Sequence, residues 1–94
     1  PLQNEDMPVL GVAIGWSRAG LVVGEVSRGS KATEAGIQPG DLIISLEGQR
    51  IRNLGDLRNE LLRKQVGDKV KLAIQRDGRE LIKEVELVRR GDAQ

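Results

Sequence analysis

The sequence predicts a small α+β domain, and three observations lead to this fold class. Several segments alternate apolar and polar residues at the period of a β-strand, one segment has helical spacing, and Gly-containing turn signals separate them. Strands and helices are interleaved in the order strand, strand, short helix, strand, long helix, hairpin. The 94 residues suffice for one domain with a modest core. That core is aliphatic, because Phe and Tyr are absent and Trp occurs once.

The first predicted strand runs from Pro8 to Gly15 and is largely apolar. A second strand, "LVVGEV" from Leu21 to Val26, is rich in β-branched residues, and "SRAG" between the two is typical of a turn. Gly11 stands alone inside the first apolar run, where a glycine weakens a strand.

A short helix and a tight turn follow these strands. Ser30 is a suitable N-cap, the helix continues through Ala35, and Gly36 is suited to the left-handed residue after the helix. The pair Pro39 and Gly40 then predicts a tight turn.

The segment "LIISLEG" predicts the central strand of the sheet. Regular alternation places Leu42, Ile44 and Leu46 on one face and Ile43 on the other. Apolar residues on both faces indicate a strand that is buried on most of both sides.

The long helix is predicted to begin at Asn53, because Asp56 follows three residues later in a capping-box-like arrangement. The run "LGDLRNELLRKQ" contains no β-branched residue, which favours a helix. One face of this helix is charged, and the other is an apolar stripe of Leu54, Leu57, Leu61 and Leu62.

A β-hairpin closes the chain. The segment "KVKLAIQR" alternates apolar and polar residues, and Asp77 with Gly78 forms a strong hairpin turn signal. The partner strand is "ELIKEVELV", and the polar residues from Arg89 onward predict a frayed tail. The inward-facing residues of the two strands are Val70, Leu72, Ile74, Leu81, Val85 and Leu87.

Composition excludes several classes of function. Histidine and cysteine are absent, so a Ser-His-Asp triad, a Cys-His dyad, a thiolate metal site and a two-His zinc helix cannot be assembled. We therefore expect no catalytic residue, no metal and no cofactor. A net charge of +1, with both signs interspersed, argues against nucleic acid, and no apolar run is long enough for membrane insertion.

The combination of these elements resembles a PDZ domain. The stretch "SKATEAGIQPGDLIISLEGQRI" is similar to the family's Ala-Gly-Leu-x-x-Gly-Asp-x-Ile-x-x-Val-Asn-Gly segment, and the resemblance covers residues 8–88. Residues 1–7 are then a linker or disordered, and residues 89–94 form a polar tail. The resemblance implies a partly open β-barrel or sandwich of five to six strands capped by one short and one long helix. Because the last segment supplies the strand that precedes the first loop in animal PDZ domains, the arrangement resembles the circularly permuted bacterial type of HtrA/Deg serine proteases.

The resemblance also implies a role for Gly11. A glycine lets successive backbone N–H groups converge on one point, where they bind an anion. In PDZ domains the anion is a peptide's terminal carboxylate, so the stretch from Val9 to Val12 would form the carboxylate loop, with the amides of Leu10, Gly11 and Val12 as donors. Taken alone, the glycine favours a β-bulge without a ligand, because glycine inside a strand most often marks a local kink. The resemblance over the whole chain favours the carboxylate loop instead.

The ligand implied by the resemblance adds as an antiparallel strand beside the stretch from Val12 to Trp16, with the long helix as the other wall. The leucines of this wall are also ordinary core candidates, Arg58 is a solvated surface residue or a groove residue, and Trp16 lies at the far end of the groove or caps the sheet. The last ligand residue is expected to be apolar, and Leu54 is expected to meet the third-last residue. The candidate peptide-binding residues are Leu10, Gly11, Val12, Ala13, Ile14, Leu54, Arg58, Leu61 and Leu62.

Three functions are compatible with this sequence. The first is a regulatory or substrate-binding PDZ module of an HtrA-like protease, monomeric when isolated and extracytoplasmic or periplasmic by resemblance alone, with C-terminal peptides and the parent protease domain as partners. The second is a PDZ domain of a site-2 membrane metalloprotease or a secretion component. The third is a structural docking domain that binds no free peptide.

Overall fold

The computed structural model describes residues 6–92 of the chain. It contains two α-helices, short and long, and strands that follow the predicted order. The elements are β1 (Pro8–Val9), β2 (Val12–Ser17), β3 (Gly20–Val26), α1 (Lys31–Glu34), β4 (Leu42–Leu46), β5 (Gln49–Arg50), α2 (Leu54–Leu61), β6 (Lys69–Arg76), β7 (Arg79–Glu86), β8 (Val88–Arg89) and a final 3₁₀ helix (Arg90–Asp92).

The main sheet has six strands and is antiparallel throughout. Its order is β2-β3-β4-β6-β7, with β5 paired to β4, and β1 and β8 form a separate pair. The sheet does not close, so β2 and β7 are its edges. This arrangement confirms the predicted α+β class and the partly open architecture. No helix among residues 6–92 combines the length and the apolarity of a membrane span.

Turns and caps agree with the local sequence signals. The Ser30 hydroxyl accepts a hydrogen bond from the Thr33 amide at 3.1 Å, which confirms the N-cap of α1. Gly36 has a left-handed backbone with φ of +88°, and the amide after it returns to the carbonyl of Ala32 at 3.0 Å. Asp77 and Gly78 both have positive φ, as a two-residue hairpin turn requires.

Helix α2 begins after Asn53, as predicted. The Asn53 side-chain oxygen accepts from the Asp56 amide at 2.9 Å, and the Asp56 carboxylate accepts from the Arg52 amide at the same distance. The two side chains therefore satisfy two backbone donors at the start of the helix. The helix ends at Leu61, before the end of the predicted run at Gln65. Leu62 is its C-cap, and the residues that follow form a turn.

Strand β4 departs from the regular alternation expected of it. A bulge lies between Ile43 and Ser45 in the pairing with β6, so Ile43 stands opposite Ile74 and Leu46 opposite Leu72. Both β4 side chains are consequently buried in the core, whereas Ile44 is partly exposed. The expected face shared by Leu42, Ile44 and Leu46 is therefore wrong, because one inserted residue reverses the parity of a strand.

A buried ion pair fastens the loop before β4 to β6. The Arg76 guanidinium donates to both carboxylate oxygens of Asp41 at 2.8 Å and to the Gly36 carbonyl at 2.7 Å, and the Gln38 amide donates to Asp41 at 2.8 Å. Burial raises the pKa of the Asp41 carboxyl, but the hydrogen bonds from Arg76 and Gln38 and the charge of Arg76 outweigh it, so the pKa lies below its ordinary value.

The two ends of the described chain pair with each other. Pro8 stands opposite Arg89 in the β1–β8 pair, and the Arg90 amide donates to the Met7 carbonyl at 2.9 Å. Met7 is buried, with 8% of its surface exposed. Regular secondary structure therefore continues from Arg89 to Asp92, where the sequence predicted a frayed tail. The predictions for residues 1–5 and 93–94 fall outside the described residues.

Candidate functional site

Strand β2 offers an unpaired edge. Its neighbour on one side is β3, and no further strand of the described sheet follows on the other side. An edge strand presents unused N–H and C=O groups to any extended chain that approaches it. Val12 and Ile14 of this strand also pack against the core, so an apolar surface accompanies the open edge.

Gly11 separates β1 from β2. Its φ of +79° lies in the left-handed region that side chains disfavour. An added Cβ would stand 3.5 Å from a methyl group of Val88, which is an ordinary contact, so conformation rather than space requires the glycine. Leu10 and Gly11 belong to no strand or helix. Among residues 6–92, neither backbone amide donates a hydrogen bond to another backbone group.

A groove of about 690 Å³ lies between the segment around β2 and helix α2. Helical periodicity brings Leu54, Arg58 and Leu61 to one side of α2, facing the alternating residues of β2. Eight of the sequence-predicted site residues line this groove, namely Leu10, Gly11, Val12, Ala13, Ile14, Leu54, Arg58 and Leu61.

Leu62 does not line the groove. It is 47% exposed and follows the last helical residue as the C-cap. One step along a helix turns a side chain by about 100°, so Leu62 points away from the direction that Leu61 takes. The structure therefore does not bring Leu62 together with the other eight candidate residues.

The helical wall combines a buried floor with an exposed rim. Leu57 and Leu61 are buried in the core, and both also line the groove. Leu54 is 59% exposed and forms the rim at the start of the helix. Leu57, like the other leucines of this wall, was an ordinary core candidate, and the structure places it both in the core and on the groove. An apolar side chain entering the groove would thus meet a buried floor and a rim that is still open to water.

Several lining residues were not among the sequence-predicted set: Met7, Val9, Glu25, Ser27, Leu57 and Arg90. Val9 had been placed in the loop by resemblance only. Met7 and Arg90 reach the groove because β1 and β8 pair, and the sequence carries no local signal for a contact between residues so far apart. Arg58 and Arg90 place positive charge along the groove, against the single lining carboxylate of Glu25.

Trp16 lies beyond the groove and not inside it. Its side chain is 69% exposed and lines a separate pocket of about 230 Å³. This pocket also includes Arg52, which immediately precedes the N-cap of α2. Trp16 was predicted to lie at the far end of the groove or to cap the sheet, and the structure places it on this separate pocket and not on the groove.

Comparison with curated sequences identifies relatives among bacterial proteases. The chain is 36% identical over 86 residues to the serine protease Do-like HtrA of Bacillus subtilis, covering 90% of the chain. It is 40% identical over 68 residues to the periplasmic pH-dependent serine endoprotease DegQ of Escherichia coli, covering 72% of the chain. A putative zinc metalloprotease of Mesorhizobium japonicum is 38% identical over 60 residues, covering 64%. The chain spans only 19%, 15% and 16% of these proteins' lengths, respectively.

Comparison with solved structures finds the same fold. A variant of the HtrA-type protease AlgW, solved with a decapeptide, superposes with a TM-score of 0.79 at 25% identity, covering 89% of this chain and 29% of that one. The HtrA3 PDZ domain bound to a phage-derived ligand gives a TM-score of 0.72 at 20% identity, covering 85% of this chain and 84% of that one. The second likeness concerns the fold alone.

The family profile for PDZ domains matches residues 8–87, nearly the whole of the described chain. The open edge strand, the glycine loop and the facing helix lie within this match. The HtrA-type proteases are relatives in sequence and neighbours in structure. This chain therefore belongs to the PDZ domain family.

Proposed function

We propose that this domain captures the free C-terminal end of an extended peptide, which adds to β2 as an antiparallel strand. The observation that carries this proposal is the juxtaposition of an open edge strand with a positive-φ glycine at one end of an apolar groove. Strand addition supplies main-chain hydrogen bonds, and alternate side chains of the ligand enter the groove.

The terminal carboxylate binds at the Leu10–Gly11 turn. The amides of Leu10 and Gly11 have no acceptor among residues 6–92 outside the strands and helices, which leaves them as donors for an anion. Successive backbone N–H groups beside a left-handed residue can form an anion-binding concavity. Arg90 also lines this groove.

The last side chain of the ligand is apolar. It would rest on the floor made by Leu57 and Leu61, opposite Val12 and Ile14. Leu54, at the rim, contacts the third-last residue of the ligand, for which an apolar side chain is favoured as well.

Binding is expected in the micromolar range. One buried aliphatic side chain contributes about 1.5–3 kcal/mol, and each charge-assisted hydrogen bond contributes a similar amount. Association costs roughly 4–15 kcal/mol in lost freedom. Such an affinity suits a module that recruits substrates or senses exposed chain ends and releases them again.

The parent protein we propose is an HtrA-like serine protease that acts outside the cytoplasm. The similarity to the HtrA of Bacillus subtilis and to the periplasmic DegQ supports this assignment. The domain would then bind substrates or regulators for a catalytic domain elsewhere in the same protein. As an isolated domain it would be monomeric.

A zinc metalloprotease is the second candidate parent, because the Mesorhizobium japonicum relative is nearly as similar over a shorter stretch. The flanking sequence of the parent gene separates the two candidates. A serine-protease domain upstream supports the first candidate, and a zinc motif with membrane-spanning helices supports the second.

Peptide titration tests carboxylate capture directly. An octapeptide ending in Val is labelled at its N-terminus and prepared as the free acid and as the C-terminal amide, and affinity is measured by fluorescence anisotropy. We expect the free acid to bind about tenfold more tightly or better, since loss of one charged hydrogen-bonding group is worth about 1.5–3 kcal/mol. Equal binding of both forms, or no binding of either, contradicts the proposal and favours a docking domain.

Two glycine variants separate loop geometry from general stability. Gly11 and Gly48 have nearly equal φ, +79° and +80°, but only Gly11 lines the groove. We expect Gly11→Ala and Gly48→Ala each to lose about 1–2 kcal/mol of stability. Only Gly11→Ala should also weaken binding of the free-acid peptide. Similar affinities of the two folded variants would contradict the assignment of the loop.

A further inference from the structure

A second pocket continues the groove past its far end. On β2 the row that includes Val12 and Ile14 is extended by Trp16, and on the opposite wall Arg52 lies two residues before Leu54. The two chain segments that form the walls of the groove therefore continue into the walls of the pocket. The pocket measures about 230 Å³ and also borders the β2–β3 turn at Arg18 and strand β5 at Arg50.

The pocket concentrates positive charge. Arg18, Arg50 and Arg52 line it, their side chains are exposed, and no acidic residue is among the lining set. Within the described part of the chain, none of these guanidinium groups forms a salt bridge or a hydrogen bond. The whole chain carries a net charge of only +1, so this local excess is not a general property of the surface.

A ligand paired with β2 reaches this pocket with a defined part of its length. Strand residues advance about 3.4 Å each, so the four steps from Val12 to Trp16 span about 14 Å. Because the ligand runs antiparallel to β2, its C-terminus lies near Gly11 and its upstream residues lie near Trp16. The residues that arrive there are about four to six positions before the C-terminus.

We propose that this pocket, the upstream pocket, binds an acidic side chain of the peptide ligand four to six residues before the C-terminus. The inference rests on the proposed function, whose ligand it makes more specific. A guanidinium group pairs with a carboxylate through two parallel hydrogen bonds, and the exposed face of Trp16 covers the apolar stem of a Glu side chain. The ligand class is thus a C-terminal peptide with an apolar end and an acidic segment upstream.

The test compares three octapeptides that end in Val and differ at the fifth and sixth residues from the end, where they carry Glu, Gln or Lys. Affinities are measured by anisotropy at low salt and in 1 M NaCl. We expect the Glu peptide to bind about three- to tenfold more tightly than the Gln peptide, since exposed ion pairs contribute about 0.2–1 kcal/mol each. The Lys peptide should bind most weakly. High salt should remove most of the difference, because the Debye length falls to about 3 Å.

Protein variants locate the effect. The triple variant Arg18→Gln, Arg50→Gln and Arg52→Gln should bind the Glu and Gln peptides equally, with an affinity close to that of the Gln peptide for the unmodified domain. Arg79→Gln is the matched control, since Arg79 is exposed in the β6–β7 hairpin and lines neither the groove nor the upstream pocket. It should retain the full preference for Glu.

The outcomes distinguish the inference from the proposed function. If the free acid still binds better than the amide while the Glu and Gln peptides bind alike, carboxylate capture stands and the upstream pocket is overturned. If the triple variant weakens both peptides by the same factor, the arginines do not read the acidic residues and the inference is also overturned. If free acid and amide bind alike, the proposed function fails first.

Discussion

The centre of the sheet and its β2 edge are built on opposite principles. In the central strands β4 and β6 the side chains of Leu46 and Ile74 have no exposed surface, and the buried Asp41 carboxylate has donors on both oxygens. Along β2 the strand lacks a neighbour on one side, and Leu54 across the groove is largely exposed.

This difference teaches that stability and recognition are located in separate parts of one small domain. At the centre of the sheet the side chains are already buried in the folded protein, so substitutions there change the free energy of unfolding. Along the β2 edge the apolar side chains become fully buried only when a ligand binds, so substitutions there change mainly the affinity. Each of the following variants tests whether that separation holds.

The largest effect is expected at the centre of the sheet. Ile74→Ala removes methyl groups from a fully buried site and should lower the free energy of unfolding by about 2–5 kcal/mol, measured by urea denaturation. The milder Ile74→Val should cost about 0.5–1.5 kcal/mol and keeps the test usable if the alanine variant does not fold. Peptide affinity of the folded protein should be unchanged in both. A large loss of affinity in the valine variant would show that the two regions are coupled.

An intermediate effect is expected at the ion pair. Asp41→Asn removes the charge that Arg76 faces and should destabilise the domain by about 3 kcal/mol near neutral pH, the low end for buried pairs because the Arg76 side chain keeps some contact with water.

The same variant gives a signed pH dependence. The pKa of Asp41 in the folded state is below its ordinary value of 3.8, so its contribution is complete above that value and is lost as the pH falls through the folded pKa. The stability difference between the unmodified domain and Asp41→Asn should therefore be constant from neutral pH down to about pH 5 and shrink below about pH 4. A difference that stays constant down to pH 2 would contradict this assignment.

The smallest effect on stability is expected at the groove rim. Leu54→Ala should change the free energy of unfolding by no more than about 0.5 kcal/mol, as is usual for exposed sites. It should weaken peptide binding about fivefold, equivalent to about 1 kcal/mol of apolar burial. Leu62→Ala is the matched control, because Leu62 is similarly exposed but outside the groove, and it should change neither quantity. Equal loss of affinity in both variants would move the binding surface to the outer face of α2.

Much of the groove could be predicted because its two walls are periodic. Alternation puts Leu10, Val12 and Ile14 in one row, and helical spacing puts Leu54, Arg58 and Leu61 in another. The resemblance to PDZ domains supplied the glycine loop and the binding role of these rows, and eight of the nine candidate residues line the groove. Leu62 lies outside the groove for a local reason, since a stripe that includes neighbouring residues such as Leu61 and Leu62 spans too wide an arc of the helix. The predicted alternation in β4 was wrong for a non-local reason, because the bulge at Ile44 depends on how β4 pairs with β6.

The sequence alone determined the caps at Ser30 and Asn53 and the hairpin turn at Asp77, because these features depend on hydrogen bonds and backbone preferences within a few residues. Only the tertiary structure decided that the chain ends pair, which brings Arg90 into the groove, and that Trp16 joins separate arginines in the upstream pocket. Those contacts join residues far apart in the chain, and their energies depend on the packing of the whole sheet.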